Sequence, residues 1–123
     1  MAYFWIALGA VAGASARYFL SDCLTKAVSS SFPYGTLLIN VSGSFMLGFF
    51  LILAGERVLL DVRWRWLIAI GFCGSYTTFS SYAFETFALF EQGHWLPVTW
   101  NVIASNLLCL ASVLAGAVLA RWM

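Results

Sequence analysis

Apolar positions run along this chain in four long windows, about 2–21, 35–54, 66–90 and 96–120, separated by short stretches where polar and charged residues collect. A helix needs about 20 mostly apolar residues to cross the hydrocarbon core of a bilayer. The pattern therefore predicts four transmembrane helices and uses almost the whole chain. Polar positions inside the windows are ordered. In the first window Gly9, Gly13 and Arg17 recur at intervals of four. In the second, Thr36, Asn40, Ser44 and Gly48 do the same, with Gly43 beside them. In the fourth, Asn101, Ser105, Cys109, Ser112 and Gly116 are spaced by three or four, with Asn106 adjacent. Such spacing places each set on one helix face.

The third window departs from this order. Residues 71–86 read GFCGSYTTFSSYAFET and hold two glycines followed by a run of small hydroxyl residues. A helix facing lipid satisfies its own backbone and gains nothing from such residues. Non-helical backbone at membrane depth is tolerated where it is buried in protein or lines a water-filled path. A helix broken near its middle, at the heart of an ion pathway, is the expectation. Phe79 and Tyr82 follow three residues apart, on one face.

Composition narrows the class. The chain has 123 residues, 63% hydrophobic and 9% charged, against about 25% charged in a soluble domain. One all-α membrane domain over 1–123 fits, with no room for a nucleotide-binding fold or an extramembrane enzyme. The first window, interrupted by Ala, Gly and Arg17 and without a basic stretch ahead of it, does not read as a signal peptide. A net charge of +1 gives no support for nucleic-acid binding. Cys23, Cys73 and Cys109 have neither disulfide nor metal-ligand spacing and read as small packing residues.

Between the windows, Leu20 to Phe32 reads as a polar loop and Pro33 as the start of the second helix. Gly55 to Arg65 carries Glu56, Arg57, Asp61, Arg63 and Arg65 and reads as a solvated turn. With four spans, that turn and both termini share one side. Arg57, Arg63, Arg65 and Arg121 gather there against Lys26, with or without Arg17, on the other. The positive-inside rule then favours cytoplasmic termini. Trp5, Trp64, Trp66, Trp95 and Trp122 all lie near predicted helix ends, as interfacial aromatics do. His94 beside Trp95 reads as interfacial too.

No nucleophile–base pair, metal-ligand cluster or phosphate loop is visible. What remains is a set of neutral donors, Asn40, Ser44, Ser80, Ser81 and Ser105, with aromatic rings among them. Conduction needs binding strong enough to replace water and weak enough to release, which neutral donors offer an anion. The positive edges of Phe79 and Tyr82 suit one as well. Asn40 reads either as a polar clasp between helices or as an N–H donor to a passing anion, with the flanking hydroxyls favouring the second. Arg17 reads either as a snorkelling helix-end residue or as the electropositive mouth of an anion path. Glu85 is the one carboxylate clearly inside a window and receives no assigned chemistry. Carbonyls freed at a helix break point instead to a hard cation such as sodium. Residue chemistry reaches a small ion, more readily an anion, and stops.

The motifs resemble the Fluc (CrcB) family of fluoride channels: GAVAGASARY at 9–18, PYGTLLINVSGSFMLG at 33–48, GFCGSYTTFSSYAFET at 71–86 and the stripe of the fourth window. The resemblance implies a four-helix subunit that pairs antiparallel into a dimer with two fluoride pores and exports fluoride passively from the cytoplasm across the inner (plasma) membrane. It implies a structural sodium ion at the dimer centre, held by backbone carbonyls that correspond here to Gly74 and Thr77. By motif position Asn40 matches the pore asparagine, Arg17 the vestibule arginine and Phe79 the first of two pore phenylalanines. Ser80 and Ser81 match the hydroxyl track, and Ser105 a polar position facing the ion path. Tyr82 stands where the second phenylalanine is expected and Cys109 where a hydroxyl is expected. The charge bias bears on the partner, because self-pairing needs both orientations in the membrane. The dimer is therefore either a homodimer or a heterodimer with an oppositely oriented homologous subunit. Two rivals remain: a proton-coupled exporter of the small multidrug type, for which only Glu85 supplies a titratable group, and a non-conducting scaffold whose polar stripes only pack.

Overall fold

The computed structural model describes residues 1–57 and 60–123, with Arg57 described by its backbone alone. The side chain of Arg57, counted in the charge cluster, thus lies outside the described residues, as do Val58 and Leu59 of the same connection. Among the described residues the structure is helical, without strands. Helix α1 spans Ala2–Ala27 and α2 Tyr34–Ile52, the latter continued by a π-helical turn over Leu53–Arg57. A short α3, Val62–Trp64, leads into a second π-helical segment, Arg65–Cys73, and a short α4, Gly74–Tyr76. Helix α5 covers Phe79–Glu91 and α6 covers Trp95–Trp122.

Three stretches, Ala2–Ala27, Tyr34–Glu56 and Trp95–Trp122, are helices long and apolar enough to cross a membrane. The window 66–90 is filled by shorter helical pieces instead. Helix stops at Tyr76; Thr77 is extended (φ −78°, ψ 155°), as is Thr78 (φ −150°, ψ 117°), and helix resumes at Phe79.

The expected loop from Leu20 to Phe32 is shorter than the sequence suggested, because α1 continues to Ala27. Its polar last turns hold themselves together: Lys26 pairs with Asp22 at 2.6 Å, and the Thr25 hydroxyl donates to the Ser21 carbonyl at 2.8 Å. Such i,i+4 contacts favour helix where composition alone reads as loop. The turn expected from Gly55 to Arg65 is likewise partly helical, and Asp61 caps α3 by accepting from the Arg63 N–H at 2.9 Å. Arg121 reaches Glu56 with two bonds, 3.1 and 3.0 Å, which puts the C-terminus at the end of the molecule holding that turn. Trp5 shares a small cavity there with Asp61, Arg63 and Trp64, so the N-terminus lies at the same end.

Two packing seams organise the helices. α1 packs mainly on the π-helical segment Arg65–Cys73, and α2 mainly on α6. Both depend on glycine. A Cβ at Gly9 would press on the Leu67 carbonyl oxygen and lie 2.8 Å from the Phe72 nitrogen; one at Gly71 would lie 2.6 Å from the Ile6 carbonyl oxygen. In the other seam, a Cβ at Gly48 would meet the Val113 carbonyl, and one at Gly116 the Phe45 carbonyl. Small residues that let backbones touch are the usual means of helix association in lipid, where burial of apolar surface gives no drive.

Candidate ion pathway

The site is built around the two extended residues, Thr77 and Thr78. The Asn40 side chain, on α2, holds Thr78 from both sides of its own peptide units. Its Oδ1 accepts from the Thr78 N–H at 2.8 Å, and its Nδ2 donates to the Thr78 carbonyl at 3.0 Å. Thr78 in turn caps α5, its Oγ1 accepting from the Ser81 N–H at 3.1 Å. The Ser80 and Ser81 hydroxyls lie 3.3 and 3.1 Å from the same oxygen. Three hydroxyls thus gather at the N-terminal, electropositive end of α5.

These bonds account for which carbonyls are released. In an unbroken helix the Thr78 N–H would serve the Gly74 carbonyl, four residues back, and the Ser81 N–H would serve that of Thr77. The first is diverted to Asn40 and the second to the Thr78 hydroxyl. Gly74 and Thr77 therefore both lose their helical donors. The Cys73 carbonyl, by contrast, accepts from both the N–H and the hydroxyl of Thr77, at 3.1 and 2.9 Å.

Thr78 lines two cavities. One, of about 350 Å³ between α2, α5 and α6, is walled by Asn40, Ser44, Phe79, Tyr82, Ser105 and Cys109, among others. The Phe79 and Tyr82 rings meet at its edge with centroids 5.3 Å apart and planes tilted by 56°. The other, of about 260 Å³ beside α1, is lined by Arg17, Ser21, Thr36, Ser81 and Glu85. A third, of about 220 Å³, shares Ser21, Thr36 and Glu85 with it and extends toward the loop after α1. Between them the Thr36 hydroxyl donates to Glu85 Oε1 at 2.7 Å, while Oε2 is buried with no partner among the described residues.

The candidates from the sequence thus fall into groups. Asn40, Phe79, Tyr82 and Ser105 meet in one cavity, where the Tyr82 and Cys109 departures also lie. Arg17 and Ser81 meet in the second. Ser80 is exposed at the cap and lines neither; Gly74 is exposed as well. Thr78 and Thr36 were not singled out as site residues, though a Thr three residues ahead of Ser81 at a helix start is a capping signal. The α6 stripe divides its work. Ser112 donates to the Val41 carbonyl at 2.7 Å and Asn101, 1% exposed, to Thr86 Oγ1 at 2.8 Å, both packing roles. Ser105 donates a long bond, 3.4 Å, to Asn101 Oδ1 and also lines the cavity.

The sequence model described as "CrcB-like protein, Camphor Resistance (CrcB)" matches residues 4–117. The chain belongs to the CrcB family. A relative from Koribacter versatilis (strain Ellin345), named fluoride-specific ion channel FluC, is 57% identical over 119 residues, covering 97% of this chain and 94% of that one. One of the same name from Rhodospirillum rubrum is 42% identical, covering 96% and 93%. Another from Methylococcus capsulatus is 49% identical over 98% of this chain, which spans 53% of that relative's length. CrcB relatives of this kind are ion channels and not enzymes, and the three long apolar helices make this member a multi-pass membrane protein.

Proposed function

We propose that this CrcB member is a fluoride channel that lets fluoride leave the cytoplasm passively through the inner membrane, working as one of a pair of oppositely oriented subunits. The observation that carries the reading is the cavity between α2, α5 and α6, where neutral donors and two ring edges meet at the capped end of α5. Fluoride holds its water tightly, so a path for it must offer many hydrogen bonds without a trap. Asn40, Ser44, Ser105 and the hydroxyls at Thr78 are such donors, and among the described residues no lysine or arginine lines this cavity. Arg17, in the second cavity, raises the local concentration of anions near the path. The names of the relatives favour fluoride over other anions.

A structural sodium ion belongs to the same reading. Carbonyls are the donors a hard monovalent cation takes, and Gly74 and Thr77 present two whose helical donors are diverted. Bound there, the ion would supply a fixed positive charge near the interrupted segment. The partner is a second copy of the chain or a homologous subunit of opposite orientation.

The deciding experiment is fluoride efflux from liposomes that hold only this protein, with chloride in parallel. Fast fluoride efflux with little chloride leak is expected. No efflux from folded protein, alone or after addition of an oppositely oriented homologue, would sink the reading. The half-buried Glu85 carboxylate, whose Oε2 has no partner among the described residues, keeps a proton-coupled exporter as the second reading. Glu85→Gln should leave fluoride efflux standing; abolished flux together with loss of a pH-driven exchange would favour the exporter.

A further inference from the structure

At Gly43, α2 packs closely against Tyr76 and Thr77. A Cβ there would press on Thr77 Cγ2 and lie 3.0 Å from Cδ1 of Tyr76. Tyr76 ends α4, is 4% exposed, and stacks on Phe72 with centroids 5.5 Å apart. Its hydroxyl lies 2.9 Å from Ser42 Oγ. The Ser42 hydroxyl proton is directed at the Ile39 carbonyl, 3.1 Å away. Tyr76 is therefore the donor and Ser42 the acceptor.

We propose that Tyr76 is a positioning residue for the ion pathway, holding the near side of the Thr77–Thr78 step to α2 as Asn40 holds the far side. The two anchors sit two residues apart on α2, with Gly43 providing the close approach. Asn40 alone does not fix the geometry before Thr77. The Gly74 carbonyl has lost its donor, and a helix that rewound by one residue would recover that bond. Making Thr77 helical shortens the step between α4 and α5, so with α5 held in place α4 must shift along α2, and that shift breaks the Tyr76–Ser42 bond and leaves a phenol O–H buried without a partner. The Tyr76–Ser42 bond thus opposes the relaxation that the break invites. It keeps the Gly74 and Thr77 carbonyls free of helical donors and Phe79 beyond them at the wall of the cavity. In function this rests on the channel reading; in structure it stands on the two anchors alone.

Tyr76→Phe tests it, since the ring and its stacking survive and only the O–H is lost. Two quantities are read on the full chain: fluoride efflux from liposomes, and deuterium exchange of the Thr77 and Thr78 amides in lipid nanodiscs. Loss of one net hydrogen bond predicts about fivefold faster exchange at those amides and about fivefold slower efflux. Ser42→Ala, which removes the acceptor from the other side, should give the same changes. The double variant should be no worse than either single one, as for two ends of one contact. A purely structural phenol would lower the unfolding midpoint without a change confined to these amides. Wild-type exchange in Tyr76→Phe, faster exchange with unaltered efflux, or additive losses in the double variant would overturn the proposal. Absence of wild-type efflux would overturn the channel reading instead, and the exchange result would still decide whether Tyr76 holds the step.

Discussion

At the scale of single residues, Asn40 shows how one side chain serves two ends. The sequence allows it to be clasp or donor, and the structure gives it a clasp on both backbone polar groups of Thr78. Among the described residues one Nδ2 proton of Asn40 has no partner, and Asn40 lines the cavity, so the roles are compatible. Asn40→Ala leaves the Thr78 N–H without its partner and should destabilise the protein by about 1–3 kcal/mol, read as a lower unfolding midpoint in detergent. Asn40→Asp keeps an acceptor for that N–H but sets a charge against the Thr78 carbonyl. It should stop fluoride efflux while destabilising less than Ala. Equal stability of the two variants would remove Asn40 from the clasp. Cys109 gives a second handle, since its thiol lines the same cavity while Cys23 is exposed at the far end of α1 and Cys73 is buried. A small negatively charged thiol reagent should therefore slow efflux, and Cys109→Ala should abolish that sensitivity. Sensitivity retained in Cys109→Ala would place the cavity off the path.

At the scale of elements, the glycine seams make a paired prediction. Gly116→Ala drives a Cβ into the Phe45 carbonyl and to within 2.9 Å of the Phe49 nitrogen. The overpacking should cost about 1–3 kcal/mol. Gly55→Ala meets nothing within 4 Å in the π-helical turn after α2. That change should be neutral or stabilising by up to about 1 kcal/mol, because alanine prefers helix. Unfolding in a graded detergent series compares the two, and equal effects would refute the close α2–α6 approach. Elements were also what the sequence showed best. Long apolar runs made α1, α2 and α6 legible, and the glycine spacing made their seams legible. The end of α1 was not, because Ser21 to Lys26 has the composition of a loop and is held in helix by pairings that composition hides. Nor could the chain reveal that Asn40 meets Thr78, 38 residues away, or that Tyr76 meets Ser42. Sequence spacing reports a shared face within a helix and says nothing about which neighbour lies across it.

At the scale of the molecule, charge sorts the two ends. Asp61, Arg63, Glu56 and Arg121 lie at the end that holds both termini, while Lys26 and Asp22 lie near the other. A C-terminal reporter in cells should place that end mostly in the cytoplasm, and the double change Arg63→Glu, Arg65→Glu should move the population toward the opposite orientation. An unaltered distribution would show that these charges do not set the topology. The Glu56–Arg121 pair is exposed and screened by solvent, so Arg121 acts there chiefly through its charge.

The π-helical stretch Arg65–Cys73 has a consequence of a different kind. Its wider ladder fits more residues into the same rise than an α-helix would, so the count of residues there sets the direction in which the chain continues after Cys73. Each residue of an α-helix turns the chain by about 100°. Losing one residue between Arg65 and Cys73 would swing Tyr76, Thr77 and Phe79 about a quarter-turn away from α2, with every side chain still present. In that stretch Gly71 is held by its contact with α1, and the length is held by everything that follows.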